Sequence, residues 1–565
     1  MTRVSWIAVV SVAAIVTVAA VVQLAQVAEP IVDVQLLAIN DFHGALEPGS
    51  GANGRIGSTD AGGVEYLATH LVRLKATNPN TVVVSAGDNI GASPLLSSLS
   101  HDEASIEALN LAGVELSAVG NHELDEGWWE LYRMQKGGCH PVDGCQDGTP
   151  FTGAAFTYLA ANITLDPQRA DQQAVSRAGV EGRQPRALVP GYAIREVGGV
   201  RIGFIGLILQ EAPSVIHSTS IGGLTFGPEA EAANAAARAL REQGVRAMVV
   251  LMHEGGDPAG ADINGCDGMS HDLVDLTNRM SNDIDVIVSA HTHRAYNCTI
   301  GTKLVTSAAS LGRLITDIDL RIRRSDGEVD AKSARNVVVT RDAAKEPAQS
   351  ALIAHYRPVA DRVGGRVVGA VTASLLRAAN DAGESPLGDV IAEAFLEGAK
   401  NSGTGGEIGL MNPGGIRADI THSGGAARSP VTYAQLFVVS PFGNSVVVKS
   451  LTGEAILGVL EQQFGAERTR LLQIAGLTYA YDTSRPRGSR IDRSSVRING
   501  APLVPTQRYR VATTDFLWGG GDELTGLGSG TDPAIVGVDV DVLADYVSRH
   551  SPLQPGPLNR IRKIR

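Results

Sequence analysis

Residues 32–43 read VDVQLLAINDFH, an apolar run that ends abruptly in polar residues. Runs rich in Val and Leu are typical of buried strands in a sheet. Alternate residues of an extended chain point to the same side, so we expect Asp41 and His43 to reach one metal ion. Four other apolar runs also end in potential ligands: TVVVSAGD (81–88) in Asp88, LSAVGNHE (116–123) in Asn121 and His122, VRAMVVLMHE (245–254) in His253, and IDVIVSAHTH (284–293) in His291 and His293.

The order of these runs predicts an α/β fold with two domains. Stretches of helical periodicity, such as residues 62–78 and 229–244, lie between the runs. That alternation is typical of sheets covered by helices, with functional residues at the strand ends. We expect a first domain at 32–340, a linking helix at 341–363 that Pro358 kinks or ends, and a second, smaller α/β domain at 364–565. The basic end, 560–565, is expected to be solvated.

Length and charge bound the class of protein. The chain has 565 residues, too many for one ordinary domain, which fits two large domains. Its formal net charge is -12. An acidic protein is a poor partner for nucleic-acid polymers, whose phosphates are held mainly by Lys and Arg. A small nucleotide is not excluded, because one phosphate needs only metal ions and one or two Arg. The oligomeric state is left open.

The N-terminal residues, 1–28, are typical of an export signal. Arg3 precedes an apolar run at 6–22, and small residues such as Ala25 and Ala28 follow it. A cleaved signal peptide is the first interpretation, and an uncleaved membrane anchor is the alternative. Either one predicts a secreted or cell-surface protein, which contacts the membrane only if the segment is retained.

The chain has four cysteines, an even number that suggests two disulfides in an exported protein. Cys139 and Cys145 close a short loop and are expected to pair, which leaves Cys266 to pair with Cys298. A zinc cluster is the competing hypothesis. The spacing is not CxxC, however, and thiols outside the cytoplasm would be oxidised.

The polar residues after the strands suit divalent ions. Asp, Asn and His without a thiolate favour zinc, manganese or magnesium. One tetrahedral ion cannot use seven ligands, whereas two ions sharing a carboxylate can. Each fragment alone is a weak signal, since a lone His at a strand end is more often a hydrogen-bonded surface residue. We give that interpretation to His70, His101, His140, His217, His271, His355, His422 and His550.

The segments after the strands resemble, in order, the sequence blocks of the calcineurin-like metallophosphatases: NDFHG, GDN, GNHELD, the later His and HTH. Among these enzymes they are most similar to the 5'-nucleotidase family of the secreted bacterial type. Ala290 stands where the last block often has Gly. The resemblance implies a four-layer α/β metallophosphatase domain. It places one metal on Asp41, His43 and His293, the other on Asn121, His253 and His291, and Asp88 between the two. It also implies a catalytic pair, His122 with Asp125; capping of the helix at EGWWELYRM is the alternative role of Asp125.

The second half resembles the family's nucleotide-binding domain. Asn412-Pro413-Gly414-Gly415-Ile416-Arg417 is similar to the block N-x-G-G-x-R, in which Arg binds phosphate and Asn contacts the base. Adjacent Gly such as Gly415 allow close backbone approach. The resemblance further implies phosphate binding by Arg377, stacking of the base between Phe442 and Phe516, and ribose binding by Asp522. Trp518 could extend this platform or only cover it.

These residues predict a phosphoric monoester hydrolase. The expected reaction is hydrolysis of nucleoside 5'-phosphates to nucleoside and phosphate, by a hydroxide activated between two divalent ions. A UDP-sugar hydrolase and a 2',3'-cyclic-nucleotide phosphodiesterase are the alternatives among enzymes. A surface binding protein without turnover is the alternative of another class.

Overall fold

The computed structural model describes residues 30–565 apart from residues 50, 218, 426, 466 and 467. The expected signal or anchor at 1–28 lies outside the described residues. The strands of the first part are β1 (Ile31–Ile39), β2 (Arg55–Ile56), β3 (Thr59–Asp60), β4 (Thr81–Ser85), β5 (Leu116–Ala118), β6 (Thr157–Leu159), β7 (Ile163–Leu165), β8 (Arg186–Ala187), β9 (Tyr192–Val197), β10 (Val200–Ile208), β11 (Leu224–Phe226), β12 (Ala247–His253), β13 (Val286–Ser289), β14 (Ala295–Ile300), β15 (Lys303–Ala308), β16 (Leu314–Arg323) and β17 (Val329–Val338). Its helices are α1 (Val64–Lys75), α2 (Leu95–Ser98), α3 (Glu103–Ala112), α4 (Trp128–Lys136), α5 (Gln172–Arg177), α6 (Glu229–Glu242) and α7 (His271–Arg279).

Two six-stranded sheets form the centre of this part. One has the order β17-β16-β1-β4-β5-β6 and the other the order β14-β15-β13-β12-β10-β9. In the first sheet β1, β4, β5 and β6 run parallel, and in the second β10, β12, β13 and β15 do so. Parallel strands bring their carboxyl ends to one edge of a sheet, so the polar residues after β1, β4 and β5 lie side by side.

The side chains of the two sheets and their helices make four layers. In β1, Leu36 and Ala38 pack between the sheets, whereas Leu37 and Ile39 pack against the helices on the outer face. The period of two in a strand produces this division. The second sheet has the same arrangement, since Val249 faces the first sheet and Val250 faces α6 and α7. The predicted four-layer α/β fold is therefore confirmed.

A long helix, α8 (Pro347–Gly364), follows the first part. It begins later than the expected 341, because Pro347 occupies its first turn and Glu346 caps it by accepting the backbone N–H of Gln349. The helix continues through Pro358 to Gly364, so the expectation that Pro358 ends it is wrong, and a kink there stays a prediction. Ala354, whose carbonyl loses its partner at Pro358, is exposed and open to water.

The strands after α8 pair among themselves. They are β18 (Val367–Val371), β19 (Ile408–Met411), β20 (Ser429–Thr432), β21 (Ser445–Thr452), β22 (Gln473–Ala475), β23 (Leu477–Tyr481), β24 (Arg497–Ile498), β25 (Ala501–Pro502), β26 (Arg508–Thr514), β27 (Thr531–Val538) and β28 (Ile561–Lys563). The helices are α9 (Pro386–Asn401), α10 (Tyr433–Val439), α11 (Gly453–Gln462), α12 (Asp515–Trp518) and α13 (Asp539–Arg549). A mixed sheet of order β22-β19-β26-β21-β27 packs against α9, α10 and α13 on one face and against α11 on the other. The exact domain limits stay a prediction.

Three further features complete the fold. The C-terminal tail is exposed at residues 562–565, as expected, but Ile561 is buried and β28 pairs with β23. Cys139 pairs with Cys145 and Cys266 with Cys298, as predicted. Among the helices of the described residues, none combines the length and the apolar character needed to cross a membrane.

Candidate metal centre and active site

The loops after β1 and β4 are joined by backbone hydrogen bonds at the sheet edge. Asp41 N donates to Gly87 O at 3.0 Å, and His43 N donates to Asp88 O at 2.9 Å. The loop after β13 is attached to the same group, since His291 N donates to the Asp41 carboxylate at 3.0 Å. Three of the five predicted segments are thus joined to one another, two by backbone hydrogen bonds and the third through the Asp41 carboxylate.

The backbone at five predicted ligands has positive φ. The values are 49° for Asp41, 49° for His43, 51° for Asp88, 67° for His291 and 56° for His293. Our reason for pairing Asp41 with His43, an extended chain, is therefore wrong, although both side chains do reach one cluster. Left-handed backbone is costly for residues with a Cβ and recurs at functional sites.

The predicted ligand atoms form two groups. Asp41, His43, Asp88 and His293 present atoms that all lie within 4.8 Å of one another, and Asp88, His253 and His291 form a second such group. Asp88 belongs to both. In the first group Nε2 of His43 lies 3.1 Å from Nε2 of His293. Asn121 joins the second group, with Oδ1 at 3.1 Å from Nε2 of His253 and 3.0 Å from Nδ1 of His291.

Two imidazoles have a fixed orientation. Nδ1 of His43 lies 2.9 Å from Gly91 O, and Nδ1 of His253 lies 2.9 Å from Ala86 O. A carbonyl can only accept, so each Nδ1 carries a proton and each Nε2 faces the cluster, where it can offer a lone pair to a metal ion when it is unprotonated. Metal-binding histidines are commonly held in this way. The donor set and its orientation fit divalent cations.

Burial sets the charges of the cluster. It raises the pKa of Asp41 to about 7 and lowers the pKa of His43 to about 3. Burial also holds the pKa values of His291 and His293 well below their usual range, so these imidazoles are neutral. At His253 burial acts in the same direction, but Asp88 outweighs it and raises the pKa to about 10. Carboxylates at this depth require positive charge, which a divalent ion would supply in place of the proton.

His122 and Asp125 are in direct contact. Nδ1 of His122 lies 2.6 Å from Oδ2 of Asp125, and Gly127, not Asp125, occupies the position before α4. The alternative role of Asp125 as the cap of that helix is therefore wrong. Burial acts to lower the pKa of His122, but Asp125 and Asp88 outweigh it and the pKa is raised. The arrangement keeps a proton on an imidazole that lines the same cavity as the metal ligands.

Sequence reasoning assigned no role to Glu123. Its carboxylate accepts backbone N–H groups of Asp88 at 2.9 Å, Asn89 at 2.8 Å and Gly120 at 2.6 Å. One buried side chain thereby joins the loop after β4 to the loop after β5. The only signal in the sequence was its place inside GNHELD. Asn40 was missed too, although its Nδ2 donates to Asp41 at 2.6 Å.

Arginines of the second half face the metal ligands. Arg417 and Arg377 line a cavity of about 480 Å³ together with His43, Asp88, His122, His291 and His293. Nη1 of Arg377 donates to Arg417 O at 2.9 Å, and Nδ2 of Asn53 donates to the same oxygen at 3.1 Å. Asn53, which the sequence analysis did not single out, thus connects the two halves at the mouth of the site.

The predicted nucleoside-binding residues fall into two places. Asn412 donates to Asp522 at 2.7 Å, and Gly415 is buried beside them in the short 3-10 helix Pro413–Gly415. The ring of Phe516 lies over Gly521, next to Asp522. Phe442 lies elsewhere: its ring stacks on His122 with centroids 5.7 Å apart, and among the described rings it does not contact Phe516. Trp518 is only 4% exposed and its Nε1 donates to Val447 O, so it is not part of a platform.

Comparison with known proteins agrees with this geometry. Residues 367–529 match the family model described as the 5'-nucleotidase C-terminal domain. A cell wall protein of Listeria monocytogenes is 30% identical over 549 residues, which cover 92% of this chain and 68% of that protein. The chain belongs to the 5'-nucleotidase family.

Two further relatives show the extent of the likeness. The 5'-nucleotidase precursor of Thermus thermophilus has a crystal structure that superposes with a TM-score of 0.76 at 26% identity, covering 94% of this chain and 99% of that one. This two-domain phosphoesterase fold therefore extends over nearly all of the chain. An endonuclease of Bacillus subtilis is 29% identical over 491 residues, or 86% of this chain, yet the chain spans only 37% of its length.

Proposed function

We propose that this member of the 5'-nucleotidase family hydrolyses nucleoside 5'-monophosphates to nucleoside and phosphate, with two divalent ions. The observation that carries the proposal is the pair of ligand groups that share Asp88. A shared carboxylate is what two neighbouring ions require, and the adjoining cavity contains Arg377 and Arg417 for a phosphate.

One ion is assigned to Asp41, His43, Asp88 and His293. The other is assigned to Asp88, Asn121, His253 and His291. Oxygen and imidazole donors without thiolate suit zinc, manganese or magnesium. Bound there, two divalent ions would supply positive charge to the phosphate oxygens and a water acidic enough to lose its proton near neutral pH.

The protein's own groups complete the reaction. Arg417 remains charged, although burial lowers the pKa of its guanidinium, and it pairs with the phosphate as a planar fork. His122, kept protonated by Asp125, stabilises charge on the phosphate or on the departing 5'-oxygen from Nε2. Its Nδ1 cannot take this role, because it is bonded to Asp125 at 2.6 Å.

The nucleoside is assigned to the group around Asp522. Asn412 and Asp522 are the polar contacts for base and ribose, and Phe516 is the stacking face. Stacking accepts any base and contributes about 1–3 kcal/mol. We accordingly expect activity on several nucleotides.

The protein is proposed to act outside the cytoplasm, with the metal-binding domain at 32–340 and the nucleotide-binding domain at 364–565. Both disulfides support an oxidising compartment. The apolar run at 6–22 supports export.

Release of phosphate from a substrate panel tests the proposal. AMP, UMP, UDP-glucose and 2',3'-cyclic AMP are compared in the presence of EDTA and after Zn²⁺, Mn²⁺ or Mg²⁺ is restored. We expect hydrolysis of the monophosphates that EDTA abolishes and metal restores. Preference for UDP-glucose or the cyclic nucleotide would favour the alternative esterases. Residual phosphate release that is equal in the wild type and in His122→Ala would indicate a binding protein.

A further inference from the structure

Asp102 precedes α3 but does not cap it. Aspartate at that position normally has extended backbone and accepts an N–H of the first helical turn. Here Asp102 has φ 61° and makes no such bond. Its Oδ2 instead accepts the N–H of Gly91, eleven residues earlier, at 2.9 Å. The ordinary structural role of an aspartate before a helix is therefore absent.

Gly91 is in contact with both parts of the predicted machinery. Its carbonyl oxygen accepts from Nδ1 of His43 at 2.9 Å. A Cβ on Gly91 would lie 2.7 Å from Cβ of His122 and 2.9 Å from Oδ2 of Asp125. Since Gly91 also has φ 73°, no other residue fits this position without displacing the His122–Asp125 pair.

We propose that Asp102 is a positioning residue: by holding the Gly91 N–H, it fixes the orientation of His43 and the place of the His122–Asp125 pair. Asp102 does not line the cavity of about 480 Å³, although it lines a smaller adjoining one with His122 and Asp125. It acts through one glycine, whose carbonyl also accepts from the Ser93 hydroxyl and which contacts a metal ligand, a catalytic imidazole and its carboxylate partner. This inference rests on the proposed function for the roles of those three residues.

The backbone around Asp102 is strained, which an aspartate with a purely structural role would not require. His101 and Asp102 are consecutive residues with left-handed backbone, at φ 49° and 61°. The Asp102 carboxylate is buried, which raises its pKa, and the Ser97 and Ser93 hydroxyls lie close enough to act on it. Backbone strain around a buried carboxylate is kept where geometry serves function.

Three variants test the inference in the full chain: Asp102→Ala, Asp102→Asn and Asp285→Ala. Asn retains an oxygen that can accept the Gly91 N–H. Asp285 is the matched control, because its carboxylate also accepts a backbone N–H, that of Met248 at 3.1 Å, at the opposite end of the second sheet. Each variant is assayed for kcat and KM on AMP, for Mn²⁺ affinity by calorimetry on protein stripped with chelator, and for melting temperature.

We expect Asp102→Ala to lower kcat and the affinity for one Mn²⁺ by about 10- to 100-fold, with KM nearly unchanged. Asp102→Asn should restore most of both, and Asp285→Ala should lower only the melting temperature. The inference is overturned if Asp102→Ala keeps wild-type kcat and Mn²⁺ affinity, or if Asn is as damaging as Ala. A wild type that releases no phosphate would instead refute the proposed function, and the Mn²⁺ titrations would still decide the role of Asp102.

Discussion

The proposed metal-binding end of the first part and the proposed nucleoside-binding end of the second are built in different ways. The candidate metal ligands follow the ends of sheet strands, and their loops are bonded backbone to backbone and through Glu123. The nucleoside residues come from separate loops. Asn412, Asp522 and Phe516 form one group, whereas Phe442 stacks on His122 across the cleft.

The difference shows which part of the chemistry is pre-organised. The two metal groups exist within one rigid pair of sheets, so their geometry does not depend on the second domain. The base clamp that the resemblance implies is not assembled in this structure, because Phe442 and Phe516 belong to different contacts. Substitutions at the metal ligands should therefore affect a site whose geometry is already fixed. Substitutions at the nucleoside residues should affect a site that forms only when substrate binds.

Replacing Asp88 should have the largest effect. Asp88→Ala removes the carboxylate that both ligand groups share. We expect a loss of kcat of about 1000-fold or more and fewer than two ions bound per chain, because neither ion keeps its full set of donors. Phosphate release from AMP and metal content by mass spectrometry are the measurements. Two ions retained together with wild-type turnover would contradict the assignment of a shared ligand.

Replacing His122 should abolish most turnover without removing metal. The imidazole of His122 belongs to neither ligand group. We expect His122→Ala to lower kcat by about 100- to 10,000-fold with the ion content unchanged, because a proton donor is lost and the ligands remain. Asp125→Asn should be milder, since it acts through His122. Loss of metal in His122→Ala would show that this residue belongs to the metal cage.

Substitution of Phe516 and of Phe442 should change different kinetic constants. Phe516→Ala removes only a stacking face, so KM for AMP should rise by about 5- to 100-fold with kcat unchanged. Phe442→Ala also removes a ring stacked on His122, so kcat should fall together with the rise in KM. Steady-state kinetics on AMP and UMP give both constants. Equal changes of KM alone in the two variants would indicate that Phe442 and Phe516 act as one symmetrical clamp.

The sequence predicted the α/β fold, and the residues it proposed as metal ligands do lie together, because both depend on local patterns. Apolar runs followed at once by Asp, Asn or His are visible in the chain, and His253 and Asp88 meet where those runs predict. The predicted orientation of Asp41 and His43 was based on an extended chain. Both residues have left-handed backbone, which an alternating sequence pattern does not reveal. Long-range pairing was also hidden, so Glu123 and Asp102 looked like ordinary residues near helices.

Errors in the second half have a similar origin. The end of the basic C-terminal tail is exposed, but its pairing as a strand with β23, some 80 residues earlier, was not predicted. Trp518 lies two residues after Phe516 in sequence but is buried in the core, whereas Phe516 is only partly buried against it. Tertiary packing decided each of these positions, and a single sequence carries little signal for it.

The smallest predicted effect concerns His101, which lines a small cavity with His122 and Asp125. Burial acts to lower its pKa, but Glu126, Glu130 and Asp143 outweigh it and raise the pKa to about 9. His101 bonds Glu126 at 2.8 Å and Asp143 at 3.0 Å, and His140 stacks on its other face. A raised pKa means that the charged form stabilises the fold. Its contribution is complete below the unfolded pKa of about 6.5 and is lost as the pH rises through about 9.

His101→Asn tests this with little backbone penalty, because Asn tolerates positive φ. The side chains of Glu126 and Asp143 are 47% and 48% exposed, so water screens both contacts. We accordingly expect a loss on the order of 1 kcal/mol at pH 6, or about 2 °C in melting temperature, and almost none at pH 10. Calorimetric scans of both proteins at the two pH values measure the difference. If the difference in melting temperature between the two proteins grew toward pH 10, the folded protein would favour the neutral imidazole of His101. The neighbouring carboxylates would then not stabilise its charged form.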